Sequence, residues 1–549
     1  MNEKKKNNTL LTVVLAVLAI ALITILVLVL LNGGSFKNLF GSKNDDNSGN
    51  TTEYKVTDNK YTSYRLNGNS LEDFDLYFLQ LENEKKNKVY SPLSIKYALE
   101  MLEEASSGES KTQISNIIGT YKANKYINNA NMSFANGLFV KDSFKNSIKS
   151  SYSDTLSSKY NAEVVYDSFA TANGINSWVS DKTLKLINGI VDDVSNMDIA
   201  LVNALAIDME WVNRIQPTYA DHEKYGWVGY RVYYPHENYF YGIPLLGGDK
   251  GDYTKLEFNG YSKQAQAVKA GAVINNYDIV STLGKDKIES TIRKEYTEYY
   301  ASDYKCADAP DVDTYMNTDY KTYLADLNSN YHKYSSSTDF EFYIDDDVKM
   351  FAKDLKEYNG TTLQYIGIMP VKESLDSYIS KVKASDLNGL IGKLKEVKSE
   401  SFKEGVVTEL TAVIPMFKFD YKLNLKDDLS KLGITNVFDS EKADLSNMTS
   451  EKQYVKDAKH SSNIEFSNDG IKASALTFVG AGGGGDCGFY YDFEIPVEKI
   501  DLTFNSPYMF IIRDKKTGEV WFTGTVYEPS EYSSFHENCT AAQGCDWVH

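Results

Sequence analysis

The sequence predicts a large α+β domain held behind one membrane-spanning helix, and three observations carry that reading. The run from Leu10 to Leu31 is 22 residues without a charge, long enough to cross a bilayer core as a helix. Past a polar stretch, Leu71, Phe74, Phe78 and Leu81 recur at helical spacing, the mark of an amphipathic helix. Near the other end, FNSPYMFIIRDKKTGEVWFTGTVYEP (Phe504 to Pro529) reads as two strands of alternating apolar residues joined by a Lys-Thr-Gly turn.

Residues 1–9 carry the lysines of MNEKKKNN, so the positive-inside rule puts this end in the cytoplasm and the rest of the chain outside. A cleaved signal peptide is the alternative. The apolar run exceeds a usual signal core, and neither an A-x-A site nor a cysteine follows it, which favours an uncleaved anchor. Residues 32–60 are rich in Gly, Ser, Asn and Asp and too poor in apolar residues to bury a core; they read as a tether. The folded domain is expected over 61–529, with a cysteine-containing surface appendage over 530–549.

A formal net charge of −18 argues against a nucleic-acid partner, because no excess of Lys and Arg is available to neutralise phosphates. No G-x-S-x-G, H-E-x-x-H or P-loop is present, and the six histidines do not cluster with nucleophiles, so an enzyme is not expected. Cys306, Cys487, Cys539 and Cys545 are an even set in a chain facing an oxidising space, with three pairings open. They lack Cys-x-x-Cys spacing, so disulfides are favoured over a metal site. No cofactor is expected.

Six collinear segments resemble the serpin family. They are Ser91-Pro92-Leu93-Ser94-Ile95 with the helix after it, Phe134-Ala135-Asn136-Gly137-Leu138-Phe139, Asn176-Ser177-Trp178-Val179 through Ile187, Leu201-Val202-Asn203-Ala204 to Trp211, Thr408 to Leu432, and the Phe504–Pro529 hairpin. The resemblance implies a large central mixed sheet, further smaller sheets and about eight to nine helices. It also implies suicide inhibition: a protease cuts an exposed loop, and the cut strand inserts into the sheet while the enzyme remains bound as an acyl ester.

By the same resemblance, Ser91, Ser94, Asn203 and His460 form a polar "shutter" that gates the sheet, and 466–503 holds the hinge and reactive loop. Taken alone, FSNDGIKASALTFVGAGGGG (Phe466 to Gly485) reads as a Gly/Ala linker. His460 precedes Gly470 by ten residues, the family's spacing from histidine to hinge glycine, which turns the stretch into a hinge of Gly470, Ile471, Lys472, Ala473, Ser474 and Ala475. Alternation puts Ile471, Ala473, Ala475 and Thr477 on one face, by analogy the inward one; Ile471 is bulkier than the family's residue there. Counting forward from Gly470 places the reactive bond between Gly484 and Gly485, whereas counting back from Phe504 places it twelve positions later, between Pro496 and Val497. The forward count is preferred. It suggests an elastase-like or subtilisin-like target that tolerates small residues, whereas a cut near Phe489 or Tyr490 would imply a chymotrypsin-like one.

The region 213–337 departs from the family. It is Tyr-rich, contains a charged helix-like patch near Lys285 to Tyr300, and is either elaborated strands or a subdomain for a partner. A disulfide from Cys487 to Cys306 or to the tail would restrain the loop. The expected function is therefore an extracellular, membrane-tethered serpin that traps serine proteases, with cysteine proteases as a further class. The alternative is a non-inhibitory serpin-fold surface protein that binds through the Tyr-rich insertion.

Overall fold

The computed structural model describes residues 64–195, 197–215, 231–233, 240–242, 253–301, 309–326, 339–468, 470–471, 489, 491, 493 and 496–533. The expected membrane span 10–31 lies outside these residues, as do Lys472, Ala473, Ser474, Ala475, Gly484, Gly485 and all four cysteines. Among the described residues no helix is long and apolar enough to cross a membrane.

The strands in chain order are β1 (Lys88–Tyr90), β2 (Met132–Lys141), β3 (Glu163–Asp167), β4 (Ile199–Ile207), β5 (Met209–Glu210), β6 (Arg231–Tyr233), β7 (Phe240–Gly242), β8 (Thr254–Glu257), β9 (Gln264–Asn275) and β10 (Phe340–Ile344). They continue with β11 (Val348–Asp354), β12 (Leu363–Pro370), β13 (Lys395–Glu396), β14 (Val407–Pro415), β15 (Phe417–Asn424), β16 (Lys459–Phe466), β17 (Gly470–Ile471), β18 (Val497–Thr503), β19 (Tyr508–Asp514) and β20 (Val520–Val526). One sheet of seven runs β1-β20-β19-β12-β11-β10-β13, and one of four runs β18-β14-β9-β8. The hairpin expected over Phe504–Pro529 is β19 and β20, antiparallel in register Ile511 to Thr523.

The remaining strands make smaller ladders: β3-β2-β4, β15-β16 and the short pairs β6-β7 and β17-β5. β4 and β16 are not hydrogen-bonded to each other; β4 packs on α1 (Pro92–Ala105), and the N-cap of this helix, Ser91, meets His460 of β16. α1 starts where the sequence says it should. Ser91 is the N-cap, its Oγ accepting from the Ser94 N–H at 3.0 Å, and Pro92 opens the first turn, where a missing N–H costs nothing. On the far face α2 (Asn173–Lys182) buries Ile175 and Val179 against Ala135, Phe139, Val202 and Ala204.

Within the region expected as one insertion, the structure separates two parts. β8 and β9 form one edge of the four-stranded sheet, with β9 paired to β14 over nine residues. Small buried residues, Ala265, Ala267, Ala270 and Ala272, gave that strand a weak β signal. The second part is helical: α3 (Ile279–Leu283), α4 (Lys285–Ala301), α5 (Val312–Asn317) and α6 (Asp319–Asp326). These four, among the described residues, come in addition to the eight to nine helices expected. They have their own core, with Ile288, Ile292, Tyr296 and Tyr315 buried together.

Candidate strand-insertion site

Where β16 ends, the chain turns back on itself. The Ser467 N–H donates to the Gly470 carbonyl at 3.0 Å, and the reversed segment, β17, pairs antiparallel with β5, Gly470 facing Glu210 and Ile471 facing Met209. Two of the residues expected as the hinge thus form two rungs of a strand beside the end of the β4 arm. Glycine is required there: a Cβ on Gly470 would lie 2.3 Å from the Met209 carbonyl oxygen, well inside van der Waals contact. The turn is pinned from above by Trp211, almost wholly buried, whose Nε1–H donates to the Ser467 carbonyl at 2.9 Å. The Ile215 N–H donates to the carbonyl of buried Asn468 at 2.9 Å.

Past these rungs β4 and β16 run on without pairing to each other, which leaves a slot in the hydrogen bonding. Toward the start of β4 a cavity of about 160 Å³ is lined by Ser94, Leu99, Ile199, Leu201, Asn203 and His460 among others. Ser91, Ser94, Asn203 and His460, expected as the shutter, meet there, brought together from separations of up to 369 positions. The Ser91 N–H donates to His460 Nε2 at 2.9 Å, and the Ser462 hydroxyl lies 2.8 Å from the same nitrogen. Nε2 is therefore the acceptor and carries no proton. Burial holds His460 neutral, its pKa lowered to about 4, because a charge there would be stripped of water.

On the facing side Ser94 Oγ donates to Asn203 Oδ1, Asn203 Nδ2 donates to Asn136 Oδ1, and Asn136 Nδ2 donates to the Tyr160 carbonyl at 2.9 Å. Asn203 and Asn136 meet because they are direct cross-strand partners in β4 and β2. Asn136 and Ser462 were missed as site residues. The signals were present: Asn136 sits inside one of the quoted segments, and Ser462 lies two positions after His460, on the same strand face.

The far end of the reactive-loop region is anchored too. Val407 N–H donates to the Pro496 carbonyl at 2.9 Å and Val497 pairs with Val407 in the parallel β14–β18 ladder. Upstream of it Phe493 is buried and Phe489 half-buried, both in the core of the helical insertion.

A family model described as Serpin (serine protease inhibitor) matches residues 73–228 and 318–529, more than half of the chain. Among curated proteins the chain is 28% identical over 156 residues to serine protease inhibitor 88Ea of Drosophila melanogaster, covering 28% of this chain and 32% of that protein. It is 25% identical over 189 residues to Serpin B10 of Papio anubis, covering 33% and 45%; the aligned parts thus span less than half of each relative. Among solved structures it is similar to the thermophilic serpin Tengpin in the native state, with a TM-score of 0.53 and 18% identity over 89% of this chain and 96% of that one. Uncleaved ovalbumin gives 0.52 and 17% over 84% and 98%, and thyroxine-binding globulin with thyroxine gives 0.52 and 15% over 84% and 98%. The slot between β4 and β16, the strand begun at its mouth and the match over both halves of the body together place this chain in the serpin family.

Proposed function

We propose that the protein inhibits serine proteases by loop cleavage and strand insertion, outside a membrane to which Leu10–Leu31 anchors it. The observation that carries this reading is the pairing of Gly470 and Ile471 with β5, beyond which β4 has no hydrogen-bonded strand on its β16 side among the described residues. An edge with unpaired backbone groups is a template for a further strand, and the register of the first two rungs sets the rest. Continuing it puts Ala473 opposite Ile207, Ala475 opposite Leu205, Thr477 opposite Asn203 and Ala481 opposite Ile199, the end of β4.

Leu205, Ile207 and Met209 belong to the main core, whereas Val202 and Ala204 belong to the cluster under α2. Directly opposite residues share a sheet face, so Ile471, Ala473, Ala475 and Thr477 would face the core and Thr477 would reach the shutter. Leu476 and Phe478 would face Ala204 and Val202 and join the apolar cluster on the other side. The bulky outward residues thus have a place to go, and the inward set is small beyond Ile471.

In the reaction the protease's serine oxygen forms an ester with the Gly484 carbonyl as the Gly484–Gly485 C–N bond breaks, and Gly485 leaves as an amine carrying the serine's proton. Insertion then moves the ester away from that amine. Holding the Pro496 carbonyl and Val497 in a sheet ladder supports the earlier bond over Pro496–Val497, since a protease needs extended, free backbone. The target class is one that accepts small residues, elastase-like or subtilisin-like, with cysteine proteases as a second class. Cys487 lies two positions before Phe489, which packs on Tyr296 of the helix ending at Ala301; a bridge to Cys306 would reinforce the same contact. The aromatic side chains of the insertion pack on this chain's own Phe489 and Phe493, which favours inhibition over the alternative of a surface protein binding through that face.

The test is incubation of the full chain with subtilisin-like, elastase-like and chymotrypsin-like proteases. A covalent adduct stable in SDS, with its ester at Gly484, is expected. Cleavage without adduct and without a rise in thermal stability would refute it.

A further inference from the structure

The region that holds α3 to α6 was expected to be either elaborated strands or a subdomain for a partner, and the contacts of these helices point to another use. Phe489 lies edge-on to Tyr296, with ring centroids 5.1 Å apart, and to Tyr315 at 5.7 Å. It also meets Tyr299 at 5.7 Å. Tyr296 and Tyr315 are themselves stacked at 4.2 Å, and the Tyr296 hydroxyl is tied to the Pro310 carbonyl at 2.7 Å. Two residues on, the backbone is held: the Tyr323 hydroxyl donates to the Tyr491 carbonyl at 3.0 Å. Then Phe493 is buried in the same core and packs on Tyr491 at 5.0 Å.

These residues are the aromatic bait of the loop region. Between Gly470 and Val497 the sequence offers small residues and glycine over most of 479–488, then FYYDF at 489–493. A chymotrypsin-like protease binds an extended backbone and takes an aromatic ring into its pocket. Here Phe489 and Phe493 have their rings occupied and Tyr491 has its carbonyl engaged, so such an enzyme must wait for the segment to leave the helices. When opening is fast, cleavage then follows the population of the open form.

We propose that the helical insertion is a specificity device: it sequesters Phe489, Tyr491 and Phe493 from chymotrypsin-like proteases and so biases cleavage of the loop toward enzymes that accept small residues. The device rests on the inhibitory reading above for its purpose, but the sequestration stands on its own contacts. Tyr296, Tyr315 and Tyr323 act as positioning residues. They touch no protease, and they decide which loop bonds one can reach.

The experiment is timed digestion of the full chain with chymotrypsin, and separately with an elastase-like enzyme, with cut sites read by mass spectrometry. A synthetic peptide of residues 488–497 serves as the unprotected reference. Wild type is expected to be cut after Phe489, Tyr491 or Phe493 at least tenfold more slowly than the peptide. Tyr315→Ala is expected to regain at least tenfold, and Tyr323→Phe, which keeps the packing and removes one hydrogen bond, about threefold. Elastase cleavage within 479–488 should change by less than twofold in both variants, which a general loss of folding would not allow. Wild type cut as fast as the peptide, or a Tyr315→Ala chain no faster than wild type at these bonds, would overturn the proposal. If no protease gives an adduct, inhibition falls as the function, and the protection ratio still decides the clasp.

Discussion

Protonating His460 should loosen the floor of the slot, and the size of the effect follows from its burial. The imidazole accepts the Ser91 N–H through Nε2, a bond that a protonated ring cannot accept. Its pKa is lowered to about 4, against about 6.5 in an unfolded chain. A depressed basic group leaves the unfolded state binding the extra proton between these values, so stability rises with pH in this window and is lost as pH falls below about 6.5 toward 4. Integrating the two titrations from about pH 7.5 to about pH 5 gives a loss of about 2 kcal/mol.

Glu100 acts in the opposite direction. Burial raises its pKa to about 7, so its contribution is present at low pH and lost as pH rises through about 7. Wild type alone therefore shows a flattened profile. The informative quantity is the difference between wild type and His460→Asn, measured as the urea unfolding midpoint of the full chain at about pH 7.5 and about pH 5. The variant should keep the Glu100 trend and lack the acid loss of about 2 kcal/mol. Parallel profiles in the two proteins would refute the reasoning.

Two further predictions concern the slot itself. Gly470→Ala puts a Cβ 2.3 Å from the Met209 carbonyl oxygen, so β17 should leave β5. In the protease assay this variant should give cleaved chain at the expense of adduct, and an unchanged partition would count against β17 as the start of insertion. Asn203→Ala removes the acceptor of Ser94 Oγ and the donor to Asn136 Oδ1, leaving buried polar atoms unpartnered at a cost of about 1–3 kcal/mol. Thermal unfolding of the uncleaved chain should report it as a lower midpoint, whereas Asn203→Ala with wild-type stability would show that the network is replaced by water.

The residues that meet at this site were picked out through segments that resemble the serpin family. Ser91-Pro92 opens a helix in one such segment, His460 stands at the family's spacing before a glycine, and Asn203 lies in another family-like segment; such short patterns survive without the fold. The partners they find were harder to read. Nothing near Ser94 announces that Asn203, over a hundred positions away, supplies its acceptor, and only the β2–β4 register delivers Asn136 to the same point.

The Tyr-rich region was less legible for a physical reason. β9 is built on alanines, which carry little strand preference, and its place is set by pairing with β14. The reach of Phe489 into α4 and α5 depends on aromatic rings meeting across a loop, a contact with no periodicity to betray it. Gly470 was expected as a hinge through the family resemblance, and its contact with β5 was not. The reason no other residue fits, backbone against backbone, appears only with β5 beside it.

The seven-stranded sheet has a consequence for how the chain is made. Among the described strands β1, at its edge, pairs with β20 alone, Lys88 opposite Thr525, so a strand near the start of the folded body waits for one near its end. At a synthesis rate of about 5–20 residues per second, that wait is roughly 20–90 s. During it Val89 and Tyr90, both destined for the core, have no strand beside them, and Tyr90 has only the residues just upstream, Phe78 and the Asp75 carbonyl, against it. The helix after them can form at once from local contacts, but the sheet that buries it cannot. Completion of the chain therefore sets the earliest moment at which the body can close, and a truncation anywhere before β20 should leave a nascent chain that chaperones and proteases treat as unfinished.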